Sequence, residues 1–183
     1  LEEVVVTATK REASVRDVPS SIDAMSGEDL IEAGATDLEQ ILAQSPGVTF
    51  GSTGGSEIRQ QVVIRGVTAS GTVGYGGTTT GYLFNDVSLV NPSVAGAIPG
   101  IDPFDLATVE VLKGPQGTLF GGAALAGAIR YVPNKPELID TFGSLSLGLS
   151  EVADSEGLAR HYTGFLNAPV GDTAAIRVVG TKR

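Results

Sequence analysis

The chain has 183 residues, with 21 acidic against 12 basic side chains for a formal charge of -9, 42% hydrophobic residues, 25 glycines and no cysteine or tryptophan. That acidity offers a phosphate backbone no positive surface and excludes nucleic-acid binding, while the missing cysteines exclude disulfide scaffolds and thiolate metal sites. Glycine at roughly twice ordinary usage, with few aromatics, predicts long ordered loops around one domain, or one domain plus a piece of another.

Leu1-Glu2-Glu3 has neither the basic start nor the long apolar run of a signal peptide, so an exported protein would be in its mature form here. Val4-Val5-Val6 is a β-branched run followed by the charged, turn-prone residues 10–17 and then Val18-Pro19, which predicts a short extended arm, tethered rather than packed. Ser26 is placed to cap a short helix with Asp29 at its third position and Gly34 as its stop. Thr36 and Glu39 form a capping box for a second helix, with Leu38, Ile41 and Leu42 on one face and Ser45-Pro46-Gly47 ending it. Val48-Thr49-Phe50, Val62-Val63-Ile64, Tyr82-Leu83-Phe84, Val109-Glu110-Val111 and Ile129-Arg130-Tyr131-Val132 predict short strands between Gly- or Pro-containing turns. Residues 66–85 are uncharged and long enough to cross a bilayer, but hold six glycines and five threonines, so no transmembrane helix is expected. After Pro133-Asn134-Lys135-Pro136 the character changes. Leu145, Leu147 and Leu149 alternate with Ser144, Ser146, Gly148 and Ser150, and residues 159–168 and 174–181 continue the alternation around a Gly171-Asp172 turn. The fold class is therefore α+β: a small body of short strands and helices followed by an antiparallel meander. Three strands of period two are locally what a membrane β-barrel looks like but cannot close one, which predicts that the chain is a fragment.

Catalytic and metal chemistry find little purchase. Gly114-Pro115-Gln116-Gly117-Thr118 has a proline where a phosphate cradle needs a free amide. His161, the one histidine, lies in the alternating region with no nucleophile beside it and reads as a strand-surface residue. Asn85-Asp86 and residues 102–105 lack the alternating oxygen ligands of a calcium loop and read as a turn and a helix cap. No metal or cofactor is called for. Arg65, Glu110 and Lys113 stand beside apolar strand runs. They read either as solvated charges or as a salt-bridge cluster toward a second domain, which a partner could break without unpacking a core.

Several motifs occur in one order: Glu3-Val4-Val5-Val6-Thr7-Ala8-Thr9-Lys10-Arg11, Asp17-Val18-Pro19, Pro46-Gly47-Val48, Ile64-Arg65-Gly66, Val109-Glu110-Val111-Leu112-Lys113-Gly114-Pro115-Gln116-Gly117-Thr118-Leu119-Phe120-Gly121 and Ala126-Gly127-Ala128-Ile129. Together they resemble the N-terminal plug of TonB-dependent outer-membrane receptors over residues 1 to about 136, and the remainder resembles the first strands of that family's barrel of about 22 strands. The resemblance implies an arm and linker over residues 1–17, a plug over 18–136 and truncated barrel strands over 137–183. It implies that Glu3, Val4, Val5, Val6, Thr7 and Ala8 form the TonB box, the periplasmic segment that pairs with the energy-transducing protein TonB. An extended β-branched arm suits that role, because it can add a strand to a partner's sheet edge. It further implies that Arg65, Glu110 and Lys113 join barrel carboxylates in a charge cluster. Lys113 replaces the commoner arginine and so lacks the planar fork, and Gly121-Gly122-Ala123-Ala124-Leu125 lacks the Arg-Asn pair of many relatives.

The function so implied is an outer-membrane receptor and transporter for a scarce nutrient such as a siderophore or other iron chelate, cobalamin or an oligosaccharide. The plug would occlude the chain's own C-terminal barrel, and tension through the arm would move it; the protein would not be an enzyme. Ligand contacts are expected from the uncharged loop over residues 68–80, chiefly Ser70, Tyr75, Thr78 and Thr79, with residues 93–100 as a second loop. Two other classes are open on the residues alone: a plug-like binding module of the cell envelope without transport, and an exported hydrolase using carboxylates such as Asp86 and Glu110.

Overall fold

A computed structural model of the chain describes residues 5–7, 10–11, 13–35, 38–52, 60–67, 78–89, 101–151 and 158–182. It divides into two units, Leu1–Pro133 and Asn134–Arg183.

In the first unit, β1 (Val5–Val6) pairs antiparallel with β2 (Ala13–Ser14). There follow β3 (Ser21–Ser26), α1 (Gly27–Glu32), α2 (Leu38–Leu42), the antiparallel pair β4 (Val48–Ser52) and β5 (Gln60–Ile64), β6 (Thr80–Phe84), β7 (Val87–Ser88), β8 (Leu106–Lys113), α3 (Gly117–Phe120) and β9 (Gly127–Pro133). Among the described residues, a five-stranded sheet runs in the order β3-β8-β9-β6-β7, with β6 and β9 parallel and the other pairs antiparallel.

Local chemistry sets the boundaries of α1. The Ser26 hydroxyl accepts from the Asp29 amide at 3.1 Å, Glu28 and Asp29 place negative charge in the first turn, and the helix ends in a paired 6→1 and 5→2 motif, Ala35 N to Leu30 O at 2.9 Å and Gly34 N to Ile31 O at 3.0 Å. Gly34 takes the left-handed conformation that this motif needs (φ 67°). Gly27 lets the helix start against β8, since a Cβ there would lie 1.8 Å from the Leu106 carbonyl oxygen.

The sheet has two apolar faces. Met25, Val109, Val111, Ile129 and Tyr131 pack with Leu30, Ile41, Leu42 and Ile64 on one; Ile22, Leu83, Leu112 and Ala128 pack with Val6 and Val18 on the other. Each central strand therefore buries both sides, which is why β8 and β9 are buried along nearly their whole length.

Three expectations need correction. The arm is packed rather than tethered: Lys10 turns it back (φ 61°; Lys10 N to Thr7 O, 2.8 Å), and Val6 is fully buried in the second face, a burial that contributes about 1.5 kcal/mol or more. β3 was not among the expected strands. Residues 102–105 cap no helix: Asp102 Oδ1 accepts from Phe104 N at 3.0 Å to close a turn, and the β-branched run beginning at Leu106 continues as strand.

In the second unit, β10 (Phe142–Glu151), β11 (Leu158–Val170) and β12 (Ala174–Lys182) form an antiparallel sheet in chain order. Gly171 takes positive φ (70°) in the turn before β12. Leu145, Leu147, Leu149, Leu166, Ile176 and Val178 share one exposed face. Ser144, Ser146, Thr163, Thr181 and Arg177 lie on the other. No helix among the described residues is long and apolar enough to cross a membrane, and the period-two pattern is that of strands with one lipid-compatible face.

Candidate functional site

Glu110 and Arg130 face each other across the central β8–β9 pair. Both are buried, Glu110 fully, and Arg130 Nη1 donates to Glu110 Oε2 at 3.2 Å. A charge pair in this position persists only if its remaining donors and acceptors are used. They are used by two segments of the chain. Thr7 of the arm donates its amide to Glu110 Oε1 at 2.7 Å and its hydroxyl to the same oxygen at 3.2 Å, while Arg130 also donates to the Thr7 hydroxyl oxygen. On its other side, Arg130 Nε donates to the Asn85 carbonyl at 2.8 Å and Nη2 to Asp86 Oδ1 at 3.4 Å. One buried arginine thus links the exposed β6–β7 turn, where Asn85 takes positive φ (53°), to the arm.

A second polar group lies on the opposite face of β8. Lys113 pairs with Asp23 of β3 and donates to the Pro46 carbonyl at 2.6 Å; the buried Ser45 donates to the same Asp23 carboxylate. Arg65 is exposed in the turn after β5. Its backbone N donates to the Gly47 carbonyl at 2.7 Å, its Nη2 donates to Ser21 Oγ at 2.6 Å, and its φ of 51° is left-handed. Lys113 and Arg65 thus flank the Pro46–Gly47 turn.

Arg65, Glu110 and Lys113 are consequently not brought into one cluster. Glu110 lies on the face opposite Lys113, with Arg130 as its ionic partner. Sequence reasoning passed over Arg130 and Asp23. The usable signal for Arg130 was a single charge inside an apolar strand, matching the single opposite charge of Val109-Glu110-Val111; Asp23 gave none, because its strand was not foreseen. Of the arm residues, the backbone of Val5 and all of Val6 and Thr7 are described, while Glu3, Val4 and Ala8 lie outside the described residues. Ser70, Tyr75 and residues 93–100 lie outside them too. Thr78 and Thr79 are half-buried. The Thr78 hydroxyl donates to the carbonyl two residues on, Thr80 O, at 2.8 Å, and the Thr79 carbonyl accepts from Ala126 N at 2.8 Å.

Beneath the sheet, burial pushes the phenols of Tyr82 and Tyr131 well above the ordinary tyrosine range, opposed at Tyr82 by a hydrogen bond to the Val62 backbone and reinforced at Tyr131 by the neighbouring Tyr82. Among the described residues no group of three or more His, Asp or Glu side chains could hold a metal. The arrangement holds segments together.

Comparison with known proteins agrees with this architecture. The family model described as TonB-dependent Receptor Plug Domain matches residues 14–128. The ferrichrome outer membrane transporter/phage receptor of Escherichia coli is 28% identical over 130 residues, covering 71% of this chain and 16% of that protein. The vitamin B12 transporter BtuB of Vibrio vulnificus is 29% identical over 168 residues, 91% of this chain and 26% of that protein. The closed-form crystal structure of the ferric-catecholate import receptor Fiu from E. coli superposes with a TM-score of 0.65 at 25% identity, over 92% of this chain and 22% of that one. The chain thus spans 16% to 26% of the length of these proteins. All three are named as transporters or receptors. With the family model covering residues 14–128 and the mixed sheet in place, the chain belongs to the TonB-dependent receptor plug-domain family.

Proposed function

We propose that this chain is the plug and the first barrel strands of an outer-membrane receptor that imports a scarce nutrient under TonB control. The observation that carries the reading is the docked arm: a short extended segment, held by main-chain and hydroxyl hydrogen bonds to a buried Glu110–Arg130 pair, is built to be held and to be released. Its release would present residues 3–8 as a strand for TonB to pair with. Relatives named for ferrichrome, ferrioxamine B and vitamin B12 support a siderophore-type iron chelate or cobalamin as ligand, with an oligosaccharide as a further class.

In this reading residues 18–136 occlude the pore, and residues 137–183 begin the wall. Ser70, Tyr75, Thr78 and Thr79 contribute ligand contacts from the outer loops. Arg65 and Lys113, at the exposed Pro46–Gly47 end of the plug sheet, meet barrel carboxylates, and Glu110 contributes through its hold on the arm. The test is calorimetric binding of this chain to the C-terminal domain of TonB from the same organism, beside a version lacking residues 1–9. Arm-dependent binding is expected. Binding that is absent, or that survives loss of the arm, would overturn the assignment of residues 3–8 and favour a plug-like module without transport.

A further inference from the structure

Asn167 lies in β11 with no exposed surface, and its amide spends all its bonds on one short stretch of chain. Oδ1 accepts from Glu137 N at 2.9 Å; Nδ2 donates to Glu137 O at 3.0 Å and to Asp140 O at 2.9 Å. A single side chain thereby satisfies both backbone groups of Glu137, as a neighbouring strand would, and also closes on Asp140. The reversed amide would set donors against a donor and an acceptor against carbonyls, so the network fixes its orientation.

The site is covered. Phe142 and Arg177 are the cross-strand neighbours of Asn167. The Arg177 guanidinium sits 4.1 Å from the Phe165 ring centroid and 5.5 Å from that of Phe142, and the two rings meet edge to face at 5.8 Å. Water excluded by this cover cannot compete for the amide, which strengthens its bonds. Residues 137–140 have no apolar hold of their own, since Leu138 and Ile139 are 52% and 83% exposed. Among the described residues, the Asn167 amide supplies three hydrogen bonds from the sheet to this stretch.

We propose that Asn167 is the anchor of the connection between the two units: it makes residues 137–140 part of the strand sheet, so that displacement of residues 1–133 is carried along the chain no further than Glu137. This rests on reading the units as plug and barrel wall. It adds that the barrel-side end of the connection is clamped by one side chain rather than by apolar packing.

The test uses the full-length receptor in outer-membrane vesicles, with a nitroxide on Ile139→Cys and hydrogen exchange read at the Glu137 amide, in the parent, Asn167→Leu and Asn167→Asp. In Asn167→Leu the Glu137 amide should exchange faster by about ten-fold or more and the label should gain mobility. In Asn167→Asp the carboxylate still accepts from Glu137 N but donates to neither Glu137 O nor Asp140 O, so the label should loosen while the Glu137 amide keeps part of its protection. Parent-like exchange and label mobility in Asn167→Leu, with β11 and β12 amides still protected, would overturn the proposal. If that variant does not fold, an unchanged label in Asn167→Asp overturns it instead. Neither readout involves TonB, so a receptor that binds TonB without its arm would refute the coupling proposal and leave the anchor standing.

Discussion

Tyr131 shows how exacting the core is at single residues. Its ring is fully buried, yet its hydroxyl finds no hydrogen-bond partner among the described residues. A buried unpaired hydroxyl costs about 1–3 kcal/mol, so Tyr131→Phe should hold stability level or raise it by about 1 kcal/mol in chemical denaturation. The same substitution tests the pH dependence. Tyrosine in the unfolded chain ionises near pH ~10, whereas burial holds the folded phenols of Tyr82 and Tyr131 protonated to higher pH. Above about pH 10 the unfolded state therefore binds fewer protons, and the stability present below that pH is lost as pH rises, by up to about 1.4 kcal/mol per unit for each tyrosine. Denaturation between pH 9 and 11 should show this slope, reduced by about half in Tyr131→Phe. The Glu110–Arg130 pair gives a prediction of the opposite kind. Removing one partner in Glu110→Ala leaves the buried Arg130 with only the exposed Asp86 carboxylate, 3.4 Å away, as ionic partner and should destabilise by about 3 kcal/mol, whereas Glu110→Leu combined with Arg130→Met should recover most of that loss; equal losses in the two would show that charge is not the cause. Only half of this pair was legible in the sequence. Glu110 stood out through its motif, but its partner is decided by the β8–β9 register, a pairing of residues 20 apart that local pattern does not specify.

Among the elements, β1 is a two-residue strand whose hold continues into the Thr7 bonds to Glu110 and Arg130. Thr7→Val keeps the shape of the side chain but removes the hydroxyl bonds to Glu110 and Arg130. It should loosen the arm, seen as faster protease cleavage between residues 5 and 14, and tighten binding of the TonB C-terminal domain several-fold by raising the released fraction. Faster cleavage without tighter binding would separate the latch from the partner assignment. Helix α1 and strands β4, β5, β6, β8 and β9 were readable because β-branched runs and capping residues speak locally. β3 was not: Ser21-Ile22-Asp23-Ala24-Met25-Ser26 has no β-branched run, and its strand conformation is imposed by pairing with β8. The arm was misread for a related reason. Val6 finds its pocket among Ile22, Leu83 and Leu112, residues far from it in sequence, so nothing local distinguishes a packed arm from a free one.

For the whole chain, the strand sheet of residues 142–182 presents Leu145, Leu147, Leu149, Ile176 and Val178 on one exposed face, and β10 and β12 each have a pairing edge that no described residue covers. Taken alone in aqueous buffer the chain should self-associate through this sheet and become monomeric in detergent. A monomer in plain buffer, seen by analytical ultracentrifugation, would contradict that. The order of strands in the plug sheet has a mechanical meaning as well. β3, the first strand of this sheet in the chain, lies at its edge and, among the described residues, pairs only with β8, Ser21 opposite Lys113 and Ser26 opposite Thr108. A pull on Ser21 directed across the strands would lift β3 away one residue pair at a time, like a strip peeled from its end, without loading the whole ladder at once. Beyond Ser26 the chain enters α1 at Gly27, whose backbone lies close against Leu106. The β8–β9–β6 centre is still paired at that point, so traction on the arm would open the plug along one side and leave a folded remnant on which it can close again.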